Sequence, residues 1–475
     1  RLELRADFDP DAGVRLRAAA TARALELGTE APLRVRSTRL VAESAGMDRG
    51  RGDVLFRELR TVVGDEDIDL DGLRLAWRPA GTEETDRRWF ASLPPFDGRS
   101  AVRLLLSLEL LGERPTRWLA NLDPDAETVG TRLFYDEAAD VFATAVEFED
   151  LRVRGYQGVP TVRGVDASVV TFEGGARLRL DTGPFYLHFP KLFDAGWQYD
   201  GGRGRVDVRW GEEGLEVLGT GLRARGEAGR AAGAFALELP REAAERSFSL
   251  LLGVRDSDAR HTAAYLPKGL DAGLRGWIET AARSGRVPAG AVLVHGRIVD
   301  PAPAERSVGL YFEVEGGRLA FDPAWPPLTD VDGRLRVDHR GVRGVARRGR
   351  IGRLDLEDVA LAVPLAAGAE GERPPPRLEL TTRGSGDGAA LLDFLRRAPL
   401  GDATAVLEAP WEAEGAVDLT AELVLPLDGG AQGRAPERLE IEARPALDRL
   451  RVPRAGLVLR ELAGTVRYVH PGRFS

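Results

Sequence analysis

Apolar and charged residues alternate with a period of two along most of this chain. Phe142, Val146 and Phe148 are interleaved with Glu147 and Glu149, and Ala176, Leu178 and Leu180 with Arg177, Arg179 and Asp181. After a Gly-Pro pair come Phe185, Leu187 and Phe189. Val206, Val208 and Trp210 follow around Asp207 and Arg209, then Phe235, Leu237 and Leu239 around Glu238. Successive side chains of a strand point to opposite faces, so each run predicts a strand with one apolar and one charged face. Gly-Gly, Gly-Pro, Asp-Gly-Gly and Glu-Glu-Gly breakers recur at intervals of roughly ten residues, the spacing of an all-β meander. The pattern resumes at Leu310, Phe312 and Val314, and is cleanest at Val417, Leu419, Ala421, Leu423 and Leu425. The first hundred residues carry it more thinly, with a strand pair around the Asp71-Gly72 turn that aligns Ile68, Leu70, Leu73, Leu75 and Trp77.

Three stretches break the alternation with helical spacing. Asp97 caps a helix over about 98–112 that aligns Ala101, Leu104, Leu105, Leu108 and Leu111. Leu266, Leu270, Leu274, Ile278 and Ala281 form the stripe of a second, over 268–284, with Gly273 and Trp277 on it, Pro267 suited to its first turn and Gly285 to its C-terminal stop. A third runs over 387–397 and stops before Pro399. The fold class is therefore mainly β with a few short amphipathic helices. No fixed-length repeat marks a solenoid. The proline-rich stretch 366–376 is the best loop, which divides the chain into an N-terminal β region (1–99), a central sheet (100–365) and a continuation (377–475).

Composition narrows the function classes. The net charge is −9 with both signs interspersed, and apart from Lys191 and Lys268 the cations are arginines. A mildly acidic chain without a basic stripe argues against nucleic acid. With no cysteine, disulfides and thiolate metal sites are excluded. Arg1 opens the chain with neither an initiator Met nor an apolar run long enough to span a bilayer, which reads as a piece of a longer protein.

Catalytic and cofactor chemistry is not legible. His188, His261, His295, His339 and His470 are scattered, with no pair at metal-ligand spacing. The glycine-rich stretches 201–205 and 211–219 do not fit a phosphate loop, and the acidic stretch 64–72 lacks the ligand order of a calcium loop. Neither an enzyme nor a cofactor or metal is expected. Trp118, Trp210, Trp277, Trp325 and Trp411 sit near turns or strand ends and read as core or edge packing, with a rim role as the alternative.

One physical problem remains: so many strands, each with one apolar face, must hide that face. Open twisted sheets rarely pass about ten strands without curling or splitting. Two stacked sheets, a series of barrels or one long sheet curled into a trough all solve it, and alternation alone leaves the three open.

A resemblance selects among them. Tyr265-Leu266-Pro267, Trp277, Gly290, His295-Gly296 and Trp325-Pro326, in this order and spacing, resemble the central signature of the AsmA-like envelope proteins of the YhdP type. The segments 103–138 and 391–427 resemble the blocks on either side, so the likeness spans about 100–475. It implies a long antiparallel meander curled into an elongated U-shaped hydrophobic groove. It further implies a periplasmic bridge, anchored in the inner membrane through its parent protein, that conducts phospholipid acyl chains toward the outer membrane. A diacyl lipid crossing water bare faces a barrier of about 25 kcal/mol, at about 0.8 kcal/mol per methylene, and a continuous apolar groove removes most of it. On this reading the groove lining is Phe185, Leu187, Phe189, Val206, Val208, Trp210, Phe235, Leu237, Leu239, Val417, Leu419, Leu423 and Leu425. The partners are phospholipid acyl chains and the two membranes. The alternative is a scaffold protein of β-sandwich type that carries no lipid.

Overall fold

The alternating runs form antiparallel strands, most of them hydrogen-bonded to a sequence neighbour over long stretches. The computed structural model describes residues 2–9, 13–27, 33–47, 51–63, 66–80, 86–99, 102, 113–269, 272–299, 305–364, 377–400, 411–427, 436–470 and 473–474. These fall into two compact units, residues 1–227 with 236–243, and residues 228–235 with 244–475.

The first unit is a meander. It begins with the paired strands Leu2–Asp9, Gly13–Leu27, Leu33–Met47 and Gly52–Val63. The strands flanking Asp71-Gly72 both pair with Gly52–Val63 rather than with each other, so the expected hairpin is one interrupted strand line. The unit continues through Asp125–Asp136, Val141–Val153, Thr161–Phe172, Gly175–Thr182, Gly201–Trp210 and Gly214–Gly226. A helix that the alternation does not announce, α1 (Glu113–Leu122), precedes this second half. The helix expected over 98–112 lies outside the described residues apart from 98, 99 and 102, as does the loop 366–376.

In the second unit the strands Ser247–Asp258, Ala282–Arg297, Arg306–Leu319, Leu328–Asp338, Gly341–Ile351, Leu354–Pro364, Arg377–Asp387, Glu412–Pro426 and Arg438–Val452 pair in order. Between the first two comes a 3-10 turn, Ala259–Tyr265, whose N-terminus Asp258 caps by accepting from the Arg260 N–H at 2.9 Å, and then α2 (Ala272–Ala281). The helix expected over 268–284 is thus shorter at both ends. Pro267 and Lys268 precede it, and residues 282–284 already belong to the next strand. Gly285 is not a helix stop. It holds φ +144 within that strand, where a Cβ would stand 2.8 Å from the Gly317 Cα of the neighbouring strand. The third helix, α3 (Gly388–Arg397), matches its expected span, with Asp387 accepting from the Ala390 N–H.

The strands share one defect. Asp150, Asp330 and Asp358, together with Gly164, Gly221 and Gly316, adopt left-handed φ between +49 and +75 inside strands, at places where the pairing register slips by one residue. Each is a β-bulge, which bends the strand and increases its twist. Aspartate tolerates this conformation and glycine adopts it freely. The slip keeps apolar residues on one face: Phe148 and Leu151 flank Asp150, and Leu356 and Val359 flank Asp358, spaced by three instead of two. Bulges on adjacent strands are tied together. The Asp150 N–H donates to Asp166 at 3.1 Å, and the Gly316 N–H donates to Asp332 at 2.8 Å, which holds the Asp332 carboxyl below its usual range. We expect Asp358→Val, which forces a β-branched residue into the left-handed region, to cost about 1–3 kcal/mol in urea unfolding. Asp358→Gly should stay within about 1 kcal/mol of the parent, losing only an exposed ion pair to Arg383.

Candidate functional site

Cross-strand register shows what each face of the meander presents. In the first unit one row runs Thr131, Val146, Val169, Leu178, Val206 and Gly219, and the next runs Leu133, Thr144, Thr171, Ala176, Val208 and Val217. A further row carries Val153, Val162, Leu187 and Trp197. The bulges at Asp150 and Gly164 keep this row on the same side as Phe148 and Ala167. Most of these side chains are half-buried: they touch their neighbours within the sheet, yet keep part of their surface open.

The opposite face is charged and paired. Arg177 donates to Asp207 at 2.6 Å, Arg205 lies 2.9 Å from the same carboxylate, and Arg209 pairs with Glu216 at 3.4 Å. The Arg177 hydrogen bond holds the Asp207 carboxyl below its usual range. In the second unit Arg348 pairs with Asp332, Arg343 with Asp338, and Arg438 and Arg467 with Glu440. Exposed pairs of this kind contribute little stability each, about 0–1 kcal/mol. Their role is to keep one face wet and in register.

In the second unit the apolar face changes character along the chain. A row of Phe312, Leu335, Gly344, Leu361, Leu380, Leu423 and Leu439 crosses seven strands. Its first members are half-buried, while Leu380, Leu423 and Leu439 are buried. Protein covers this later part. From α3, Ala390 is buried in the same core, and Leu391, Phe394 and Leu395 pack against it; Ala398, Leu400, Phe321 and Trp325 complete it. The Phe394 and Trp325 rings stand 6.2 Å apart. Gly388 permits the helix to approach, since a Cβ there would meet Ala413 and Leu447 at 2.7 Å.

The thirteen residues expected to line a groove therefore fall into two groups. Phe185, Leu187, Phe189, Val206, Val208, Phe235, Leu237 and Leu239 are half-buried, and Trp210, at a strand end, is 47% exposed. Val417, Leu419, Leu423 and Leu425 are buried, at 1–7% exposure, within the protein core just described. Alternation gave no sign of this difference, because a strand facing a helix and a strand facing an open trough have the same period. The signal lay instead in α3, an amphipathic helix flanked by two strands whose inner faces carry no charge.

Of the tryptophans, Trp325 is buried, with its indole N–H unpaired among the described residues, whereas Trp118 is 38% exposed and packs edge-on against Tyr156 at 5.7 Å. The side chain of Trp277 lies outside the described residues. Ser249 and His295 meet at 2.8 Å across two strands on an exposed surface. Among the described residues no group of three or more His, Cys, Asp or Glu is placed to hold a metal ion, and no helix is long and apolar enough to cross a membrane.

Fold and site together define a class: a long antiparallel meander in which each unit presents an ion-paired face and an apolar face. The sequence profile of the YhdP protein family matches residues 55–471, and the chain belongs to that family. No curated protein and no solved structure matches it.

Proposed function

We propose that the half-buried apolar face carries phospholipid acyl chains, and that the bulged strands curl the sheet into the trough that holds them. The observation that carries this reading is the continuous apolar row through Val146, Val169, Leu178 and Val206, left partly open while the opposite face carries ion pairs such as Arg177–Asp207. Soluble proteins rarely leave more than a few hundred Å² of contiguous apolar surface open without an occupant. Bulges are the means by which sheets are bent on purpose, and here they recur on strand after strand. Family membership supports an envelope setting, in which the chain moves lipid across the periplasm toward the outer membrane, headgroups in water and tails against the sheet. The parent protein supplies an inner-membrane anchor on this reading. No catalytic step is needed, because the groove lowers the cost of exposing methylenes to water.

A photoreactive residue tests the face assignment. Placed at Leu187 or Leu237 in envelope membranes, it should capture phospholipid, while the same group at Arg179 on the opposite face should capture none. Leu187→Asp should reduce capture at Leu237 several-fold with unfolding unchanged within about 1 kcal/mol, because the site is only half-buried. Equal capture on both faces, or capture at Arg179 alone, overturns the proposal in favour of a scaffold that carries no lipid.

A further inference from the structure

Within the second unit the apolar face is closed by a piece of chain that the sheet's own hydrogen bonding does not need. The strand Arg377–Asp387 pairs with Ala416–Pro426 along its whole length, with Asp387 opposite Ala416 and no slip in register. A tight turn would suffice to join two strands so paired. Instead the chain leaves the ladder after Asp387, forms α3 and returns at Glu412. The helix is therefore an excursion laid over the face, outside the ladder.

The closure extends along both strands. Leu378, Leu380 and Thr382 on one, and Val417, Leu419 and Leu423 on the next, are all buried. Phe312 and Leu335, earlier in the row that includes Leu380 and Leu423, are half-buried. Hydrocarbon lying against Phe312 and Leu335 thus meets α3, whose Leu391, Phe394 and Leu395 take up the surface that methylenes would otherwise cover. Helix and acyl chain compete for one face through the same burial of apolar area. The seam between helix and sheet also carries a defect. The indole N–H of Trp325 is buried beside Phe394 without a partner among the described residues. Lifting the helix admits water to it, so the unmade hydrogen bond weighs on the closed form.

We infer that α3 is a displaceable plug. Seated, it closes the apolar face of the second unit; lifted about its Asp387 end, it opens Leu380, Leu419 and Leu423 to an acyl chain. The inference rests on the lipid-carrying reading above and adds a regulated stretch to it. Asp387 and Gly388 mark the hinge, where the strand ends and the cap begins, and the Arg396 bond to the Trp411 carbonyl, at 2.9 Å, holds the far end.

Two measurements on the full chain test the plug. In hydrogen exchange, amides of 388–397 should exchange about tenfold or more faster than those of 378–386, because the helix opens while the ladder stays closed. In envelope membranes, a leucine-sized diazirine residue at Leu423 should crosslink to α3 in the parent. In Leu391→Ser/Leu395→Ser, which loosens the helix, lipid capture at Leu423 should rise about fivefold or more. The same residue at Leu335 should capture lipid in both. Capture at Leu335 without a gain at Leu423 overturns the plug and leaves the transport reading standing. So does equal capture at Leu423 in parent and variant, which means the face is already open. Exchange of helix and strands at one common rate, or loss of strand protection in Leu391→Ser/Leu395→Ser, makes α3 an inseparable part of the core and also overturns it. No capture at Leu335 in either protein removes the competing lipid, and the plug falls with the transport reading.

Discussion

Leu378→Asp is expected to unfold the second unit under conditions where the parent is stable. Leu378 has no exposed surface and pairs across the sheet with Leu425, which is 1% exposed. Leu380 and Leu423 form the next such pair on the same face. A carboxylate in this position has no counter-ion within the apolar cluster, and burying it uncompensated costs about 5 kcal/mol or more. That approaches the whole net stability of a typical domain, about 5–15 kcal/mol. Leu378→Ala, which leaves a cavity without a charge, should lose about 2–5 kcal/mol. Urea unfolding followed by tryptophan fluorescence reads both. A folded Leu378→Asp variant with parental stability would show that this part of the apolar face is open in solution, as the half-buried part is.

Trp325 offers the second large effect, and its two replacements separate packing from polarity. The ring is 4% exposed and lies between Phe321, at 6.1 Å, and Phe394, at 6.2 Å, so it pins α3 to the sheet. Trp325→Ala should cost about 3–5 kcal/mol through lost contacts and the cavity left behind. Trp325→Phe should cost far less, about 1 kcal/mol. The lost area is offset by removal of an indole N–H that is buried without a partner, a defect worth about 1–3 kcal/mol. Equal losses in the two variants would mean that the N–H has a partner in solution.

The strands were legible because their period is simple and their faces chemically distinct. Val206, Asp207 and Val208 alternate in sequence, and in space Val206 and Val208 stand beside Leu178 and Ala176 while Asp207 pairs with Arg177. The span of α3 was equally readable, since Asp387 and Pro399 bracket it. The ends of α2 were not: Gly285 holds φ +144, far from the left-handed helical value of a helix stop, and its lack of a side chain serves close approach to a neighbouring strand. Nor could alternation distinguish Leu187, half-buried, from Leu425, buried, because what covers a face is decided by residues distant in sequence. The bulges were legible in principle. At Phe148-Glu149-Asp150-Leu151 and Leu356-Glu357-Asp358-Val359 apolar spacing widens from two to three across an aspartate, and there the backbone turns left-handed.

Those same aspartates and glycines restrict how such a chain can change over generations. In a plain ladder, deleting two residues shortens a strand and restores its pattern. Here a two-residue deletion on one side of Asp330 would draw it out of step with Gly316 on the adjoining strand, whose N–H donates to Asp332, leaving an orphaned kink opposite a straight neighbour. Growth by whole hairpins, each bringing its own kink, escapes that penalty, so length should vary among relatives in complete strand pairs.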